Sequence, residues 1–198
     1  MRSAFDKLLS WTGLALAVFL LAAGGLLTWA TTFIGDQVND QLVMQDITMP
    51  TEEAIADLPD ADREALEEYA GSRLDTGPEA KAFADHYILV HMNASSDGRT
   101  YEEVSGEFIQ LSDEEKASAE GQALGQLRQS LFMGNTLRGL LLYGYAFATI
   151  GTIAGIAAIV SFGAGAVLLV LVALGFWHAR KAGQSAERPA PQQVLQKA

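Results

Sequence analysis

Two stretches that contain no Asp, Glu, Lys or Arg, Leu8–Gly35 and Gly139–Ala179, constrain this chain more than any other feature. A helix crosses a hydrocarbon core about 30 Å thick with about 20 apolar residues, and both stretches exceed that length. In the first, Trp11 and Trp29 stand eighteen positions apart, about 27 Å along a helix, so each indole can sit at one interface of a bilayer. Arg2 and Lys7 precede it, which by the positive-inside rule predicts a cytoplasmic amino terminus. Ala22, Ala23 and Gly24 would suit a cleaved signal peptide, but the apolar run is longer than the usual core of about 7–15 residues. The run therefore reads as a membrane helix.

The second stretch is longer than one span needs. Phe176 and Trp177 followed by Arg180 and Lys181 mark its inner end, as an aromatic belt and a basic flank. Counting back about 22 residues places the outer boundary near 154–156, with Gly139–Ile153 projecting beyond the bilayer. A hairpin at Ser161–Gly165 would instead make three spans. That would leave a last span of about 12–14 residues, short for hydrocarbon, and would move Arg180, Lys181, Arg188 and Lys197 outside, against the charge asymmetry. Two spans are expected.

Charge then separates the rest. Residues 36–135 hold 22 of the 24 acidic side chains and 6 of the 13 basic ones, a net charge of −16. Such a surface repels phosphate, which excludes a nucleic-acid binder. The chain has no cysteine, so a disulfide scaffold, thiolate zinc site, iron–sulfur cluster or cysteine nucleophile is excluded.

Along the acidic segment, Ile34, Val38 and Leu42 recur every four residues and predict that the first helix continues outward as a stalk, ending before Pro50. Asp60 or Asp62 is expected to cap a short helix that closes at Gly71. Thr76-Gly77-Pro78 reads as a helix start, with Phe83, Tyr87 and Val90 on one face of that helix. Asn93–Gly98 reads as a polar loop. Thr100 with Glu103, and Ser112 with Glu115, have capping-box spacing. Leu124, Leu127 and Leu131 form a stripe leading to the second span. No strand or repeat is expected, nor a phosphate loop, and the tail from Gly183 with Pro189 and Pro191 reads as disordered.

Few residues offer chemistry. His178 beside Arg180 reads as a headgroup anchor. His86 and His91, with Glu79 and Asp85 nearby, are five apart, about 140° around a regular helix, so they cannot share one ion; helical zinc pairs use i, i+4. The carboxylate runs read as solvated faces and contain no calcium-loop pattern. Arg138, the last charge before the second apolar stretch, either pairs within the outer domain or grips a partner or lipid head. Gly151, Ala154, Gly155 and Ala158 let helices approach closely, within the chain or against a partner. Tyr87, Tyr101, Tyr143 and Tyr145 are the candidates for lining a ligand cleft.

Several segments together resemble a group of small actinobacterial membrane proteins. They are Thr28-Trp29, Ile47-Thr48-Met49-Pro50, Gly77-Pro78 with Ala82-Phe83-Ala84-Asp85-His86 and His91, Asp97-Gly98-Arg99-Thr100-Tyr101, and Ser130–Gly139 with Phe132 and Leu137. The resemblance implies a two-span protein with an outward helical domain, in which these motif residues start, turn, cap and pack helices. Members are often labelled as the small subunit of an aromatic-ring-opening dioxygenase. That chemistry uses iron held by two histidines and a carboxylate, a set that diverging His86 and His91 do not supply.

The sequence thus predicts an all-α membrane protein: 1–7 cytoplasmic, 8–34 a transmembrane helix, and 35–138 an acidic extracytoplasmic helical domain. Residues 139–179 come next as a long apolar helix spanning at about 154–177, and 180–198 as a basic cytoplasmic tail. The expected role is a non-enzymatic accessory or assembly subunit of a larger plasma-membrane complex, respiratory or transport. It would need no cofactor or metal, would touch membrane lipid, and would meet its partner through Arg138, Tyr143, Tyr145, Gly151 and Gly155. The alternative is an extracytoplasmic lipid- or ligand-binding membrane protein.

Overall fold

The computed structural model describes residues Arg2–Ala186 and is helical almost throughout. In chain order the helices are α1 (Arg2–Val43), α2 (Glu52–Ile55), α3 (Asp60–Glu67), α4 (Gly77–Ala82), α5 (Leu89–Ser96), α6 (Tyr101–Gln110), α7 (Asp113–Ala117) and α8 (Ala119–Ala186). A π-helical segment, Phe83–Ile88, joins α4 to α5. Among the described residues there is no strand, only a single antiparallel bridge between Thr48 and Arg73. Two helices, α1 and α8, are long and apolar enough to cross a membrane. Neither Arg138–Gly139 nor Ser161–Gly165 interrupts α8, so the three-span alternative falls: a helix with its backbone bonds satisfied internally has no reason to turn there. Because α8 runs to Ala186, the start of the expected disordered tail is helical. Arg188, Pro189, Pro191 and Lys197 lie outside the described residues.

The chain divides into two compact units, one of Thr31–Thr152 and one built from the chain on either side of it. In the latter, small residues of one helix receive large residues of the other. Gly24 lies under the Phe162 ring, Gly165 under Leu21, and Gly13 beside Val172. Trp11 and Phe176 meet edge to face at 5.7 Å. Most large side chains point outward, among them Leu8, Phe19, Val160 and Trp177, a surface that suits lipid rather than water.

In the Thr31–Thr152 unit, α1 and α8 pack antiparallel, with Ile34 against Gly151 and Leu42 against Gly144. Helix α1 ends where Asp46 takes a left-handed backbone (φ 52°) and Arg73 donates to the Val43 carbonyl at 2.8 Å, satisfying one of the helix's free acceptors. Leu42, Met49, Ile55, Leu66, Leu74, Ala80 and Leu141 form the core. Capping boxes start three of the short helices: Thr76–Glu79, Thr100–Glu103 and Ser112–Glu115.

Three local expectations need correction. Pro59 occupies the start of α3 without a side-chain cap; Asp60 instead pairs with Arg63, a charge-assisted contact stronger than one to a backbone N–H, and Asp62 accepts from His86 Nδ1. Asn93–Ser96 belongs to α5, and the chain turns only at Asp97 (φ 53°) and Gly98 (φ 75°). The third is the wide π turn at Phe83–Ile88, which shifts the phase of every face assigned beyond it.

Candidate functional site

Two neighbouring features of the Thr31–Thr152 unit are built from the residues that the sequence singles out: a polar clamp that holds the short helices onto α8, and an open groove between α1 and α8.

The clamp centres on Asp85. Arg138 donates through Nη2 to its Oδ1 at 3.0 Å, Lys81 through Nζ to its Oδ2 at 2.8 Å, and Arg138 Nε donates to the Ala84 carbonyl at 2.9 Å. That same carbonyl accepts the Leu89 N–H across the π turn. Burial pushes the Asp85 carboxyl up, but hydrogen bonds and charge from Lys81 and Arg138 outweigh it and hold it below its ordinary value. Lys81 also lies 5.8 Å from the Tyr145 ring centre. Arg138 and Tyr145, expected at a partner surface, are thus turned inward: desolvated beside an acidic helix, a guanidinium finds its donors' partners within the chain.

Glu79 supports the same region. Its signal in the sequence is the Thr-x-x-Glu box begun by Thr76, which a reading of Glu79 as a neighbour of His86 passes over. It is 7% exposed and accepts from Ser72 Oγ, Thr76 Oγ1 and the backbone N–H groups of Asp75 and Thr76, all at 2.8–3.0 Å. Burial pushes this carboxyl up, and these four donors bring it below its ordinary 4.5. Both Glu79 and Asp85 therefore stabilise the fold fully above their ordinary values, 4.5 and 3.8. The contribution disappears as pH falls through the lower folded values. Unfolding followed by circular dichroism is expected to lose stability below about pH 4.5, and Glu79→Gln with Asp85→Asn is expected to flatten that dependence.

The remaining motif residues separate. His86 Nδ1 donates to Asp62 Oδ1 at 2.8 Å, tying α3 to the π segment, whereas His91 is exposed and donates to the Tyr87 carbonyl. The π turn invalidates a regular 3.6-residue count, yet the two imidazoles still face different partners. No group of three or more His, Asp or Glu gathers for a metal among the described residues. Phe83 stacks on Tyr87 at 5.1 Å, and Gly77, behind Pro78, lets α4 press against Ala148 and Tyr145. Gly98 turns the chain and Thr100 caps α6. Leu137 packs on the core. Tyr101 meets Phe132 at 5.8 Å, but Phe132 is half exposed, so it is less a core residue than expected. The four tyrosines do not share a cleft; only Tyr143 faces open space, because Tyr145 lies about 200° further round the helix.

Gly151 is buried against Ile34 and Thr31, and Thr31 Oγ1 donates to its carbonyl. It serves the chain's own helix pair, as Ala158, buried seven residues on, does in the other unit. Gly155 is half-buried.

The groove, about 470 Å³, runs between Phe33, Gln37, Gln41 and Gln45 of α1 and Leu140, Tyr143, Phe147 and Ile150 of α8. None of its lining residues is charged, although the Thr31–Thr152 unit holds 22 acidic side chains and 7 basic ones, a net charge of −15. Tyr143 is 67% exposed and Phe147 55%. With Phe132, Met133, Leu140 and Ile150, also exposed, they draw an apolar stripe about 27 Å long on α8. In a hollow of about 620 Å³ beside Leu124, Arg99 pairs with Glu107 at 3.0 Å. A third, about 580 Å³, lies among Leu9, Gly13, Leu16 and Val172, where lipid chains would fill it if these helices cross a bilayer. No family model, curated protein or solved structure matches the chain.

Proposed function

We propose that this protein is a non-enzymatic, two-span accessory or assembly subunit of a larger plasma-membrane complex, respiratory or transport, with residues 35–138 outside and both termini in the cytoplasm. One observation carries the reading: the uncharged, aromatic stripe Phe132–Ile150 stands exposed on an otherwise acidic unit. Exposed apolar patches of this kind mark interaction surfaces.

Lipid is the competing explanation for that stripe, and the helix register argues against it. Gly144 and Gly151 lie beside Leu42 and Ile34, so the α8 stripe runs alongside Asp36 and Asp40 of α1. An aspartate deep in a bilayer costs roughly 2.5–3.5 kcal/mol, and two of them keep this level of the pair out of hydrocarbon. A helix face that is apolar yet held in water has a protein partner as its natural cover. The basic residues Arg2, Lys7, Arg180 and Lys181 support the orientation, and the resemblance to small actinobacterial two-span proteins is compatible with it.

The test is isolation of the tagged protein from its native membrane in mild detergent, with mass spectrometry of what accompanies it. A stoichiometric large membrane complex is expected, and Tyr143→Glu with Phe147→Glu is expected to abolish its recovery while leaving the helical circular-dichroism signal unchanged. A protein that emerges alone and monomeric from the native membrane would overturn the accessory role.

A further inference from the structure

Resting on the reading of α1 and α8 as membrane spans with cytoplasmic ends, we propose that the furrow between Asp6–Leu16 and Leu168–His178 is a site for one inner-leaflet phospholipid. Its acyl chain lies in the furrow, and its head carries a free ammonium group, as in phosphatidylethanolamine.

The furrow, about 580 Å³, has the size of a small-ligand site, about 300–1,000 Å³. From Asp6 to Leu16 it runs about 15 Å along α1, half of a hydrocarbon core about 30 Å thick. Its length is therefore that of one leaflet. Glycines bring the two backbones together at its floor, where a Cβ on Gly13 would meet Val172 and one on Gly175 would meet Ser10. Leu9, Leu16 and Leu171 stand as walls with half or more of their surface exposed. The hydroxyls between them are already used: Ser10 Oγ donates to the Asp6 carbonyl at 2.9 Å and Thr12 Oγ1 to the Leu8 carbonyl at 3.1 Å. A hydrocarbon chain covers such a surface without losing a hydrogen bond.

The mouth selects the head. The helices run antiparallel here, so Asp6 and His178, the last lining residue of each, stand at the same end. Asp6 is half-buried and His178 exposed. Neither side chain makes a hydrogen bond or ion pair with any described residue. A carboxylate at the edge of hydrocarbon is costly until a cation joins it, and an imidazole keeps a ring N–H donor in either protonation state. One acceptor and one donor at the end of an apolar furrow complement the ammonium and phosphate of a single zwitterionic head. The neighbouring cations do not fill that place. Lys7 stands about 100° round α1 from Asp6 and Arg180 about 200° round α8 from His178, while Lys181 lies over the Trp177 ring at 4.7 Å. A purely anionic head would meet the Asp6 carboxylate, and a trimethylammonium head has no N–H to offer it.

The experiment uses the full chain. Alkaline carbonate extraction of the membrane fraction comes first, and the protein is then purified in mild detergent. It is presented with phosphatidylethanolamine, phosphatidylcholine and phosphatidylglycerol of identical acyl chains, and bound lipid is counted by native mass spectrometry. The expected result is one phosphatidylethanolamine per chain, retained about tenfold over the other two. Asp6→Asn is expected to remove that preference, and His178→Ala to lower retention of all three lipids about threefold, both with an unchanged helical circular-dichroism signal. Equal retention of the three lipids by the unaltered protein, which marks annular lipid only, overturns the proposal, whatever the variants do. So does a preference for phosphatidylglycerol, no retained lipid, or an Asp6→Asn variant that folds and keeps the preference. Each of these leaves the spans intact if carbonate has not released the chain. Release by carbonate means that the membrane reading itself fails, and the lipid site with it.

Discussion

Gly77→Ala is expected to destabilise the Thr31–Thr152 unit by about 2–3 kcal/mol, the cost of forcing a methyl group into a filled site. The added Cβ would collide with the Ala148 Cβ and come within 3.3 Å of the Tyr145 Cα. Both belong to the body of α8, which cannot swing aside as the end of a long side chain can. The start of α4 would have to lift, and the Glu79 network and the Lys81–Asp85–Arg138 clamp are carried on the next turns of the chain. Chemical denaturation of the purified protein measures the loss. Ala148→Gly in the Gly77→Ala background removes the nearest obstacle and is expected to restore about half of it. No recovery in the double variant would mean that the glycine is required for another reason, since its backbone is not left-handed and needs no special freedom.

Arg138→Ala is expected to cost about 2 kcal/mol, less than a fully buried pair because Asp85 keeps Lys81 and both partners retain some contact with water. Their side chains are 20% and 25% exposed. The loss has two parts: Asp85 gives up one of its two cations, and the buried Ala84 carbonyl keeps the Leu89 N–H but gives up the Arg138 donor. Arg138→Lys keeps the charge but not the fork, and one ammonium cannot serve both acceptors in this geometry. It is expected to recover only part of the stability. If Arg138 acted instead as a partner grip, alanine would leave stability unchanged and abolish co-purification, so the two measurements separate the roles.

Much of the architecture was written in one-dimensional features, because each reports a local cost. Charge-free runs identify α1 and α8, since a charged side chain in hydrocarbon is expensive wherever it occurs. Thr100–Glu103 and Ser112–Glu115 locate two helix starts, because a cap satisfies donors only three residues away. Gly71 and Gly98 mark left-handed turns (φ 70° and 75°), conformations that a Cβ penalises in any context.

What lay beyond the sequence is what depends on two distant segments at once. Arg138 was the last charge before an apolar stretch, and nothing local said whether it pointed to lipid, to a partner or back to Asp85, fifty-three residues earlier. The π turn at Phe83–Ile88 has no motif; it coincides with a carbonyl that accepts from both Leu89 and Arg138. Gly151 and Tyr143 looked equally suited to an interface. Only the register of α1 against α8 buried the glycine under Ile34 and left the tyrosine exposed beside three glutamines. Hydropathy determined that there would be two long apolar helices, because transfer from water depends on composition; which faces they close and which they leave open is a matter of packing, settled only when both helices are in place.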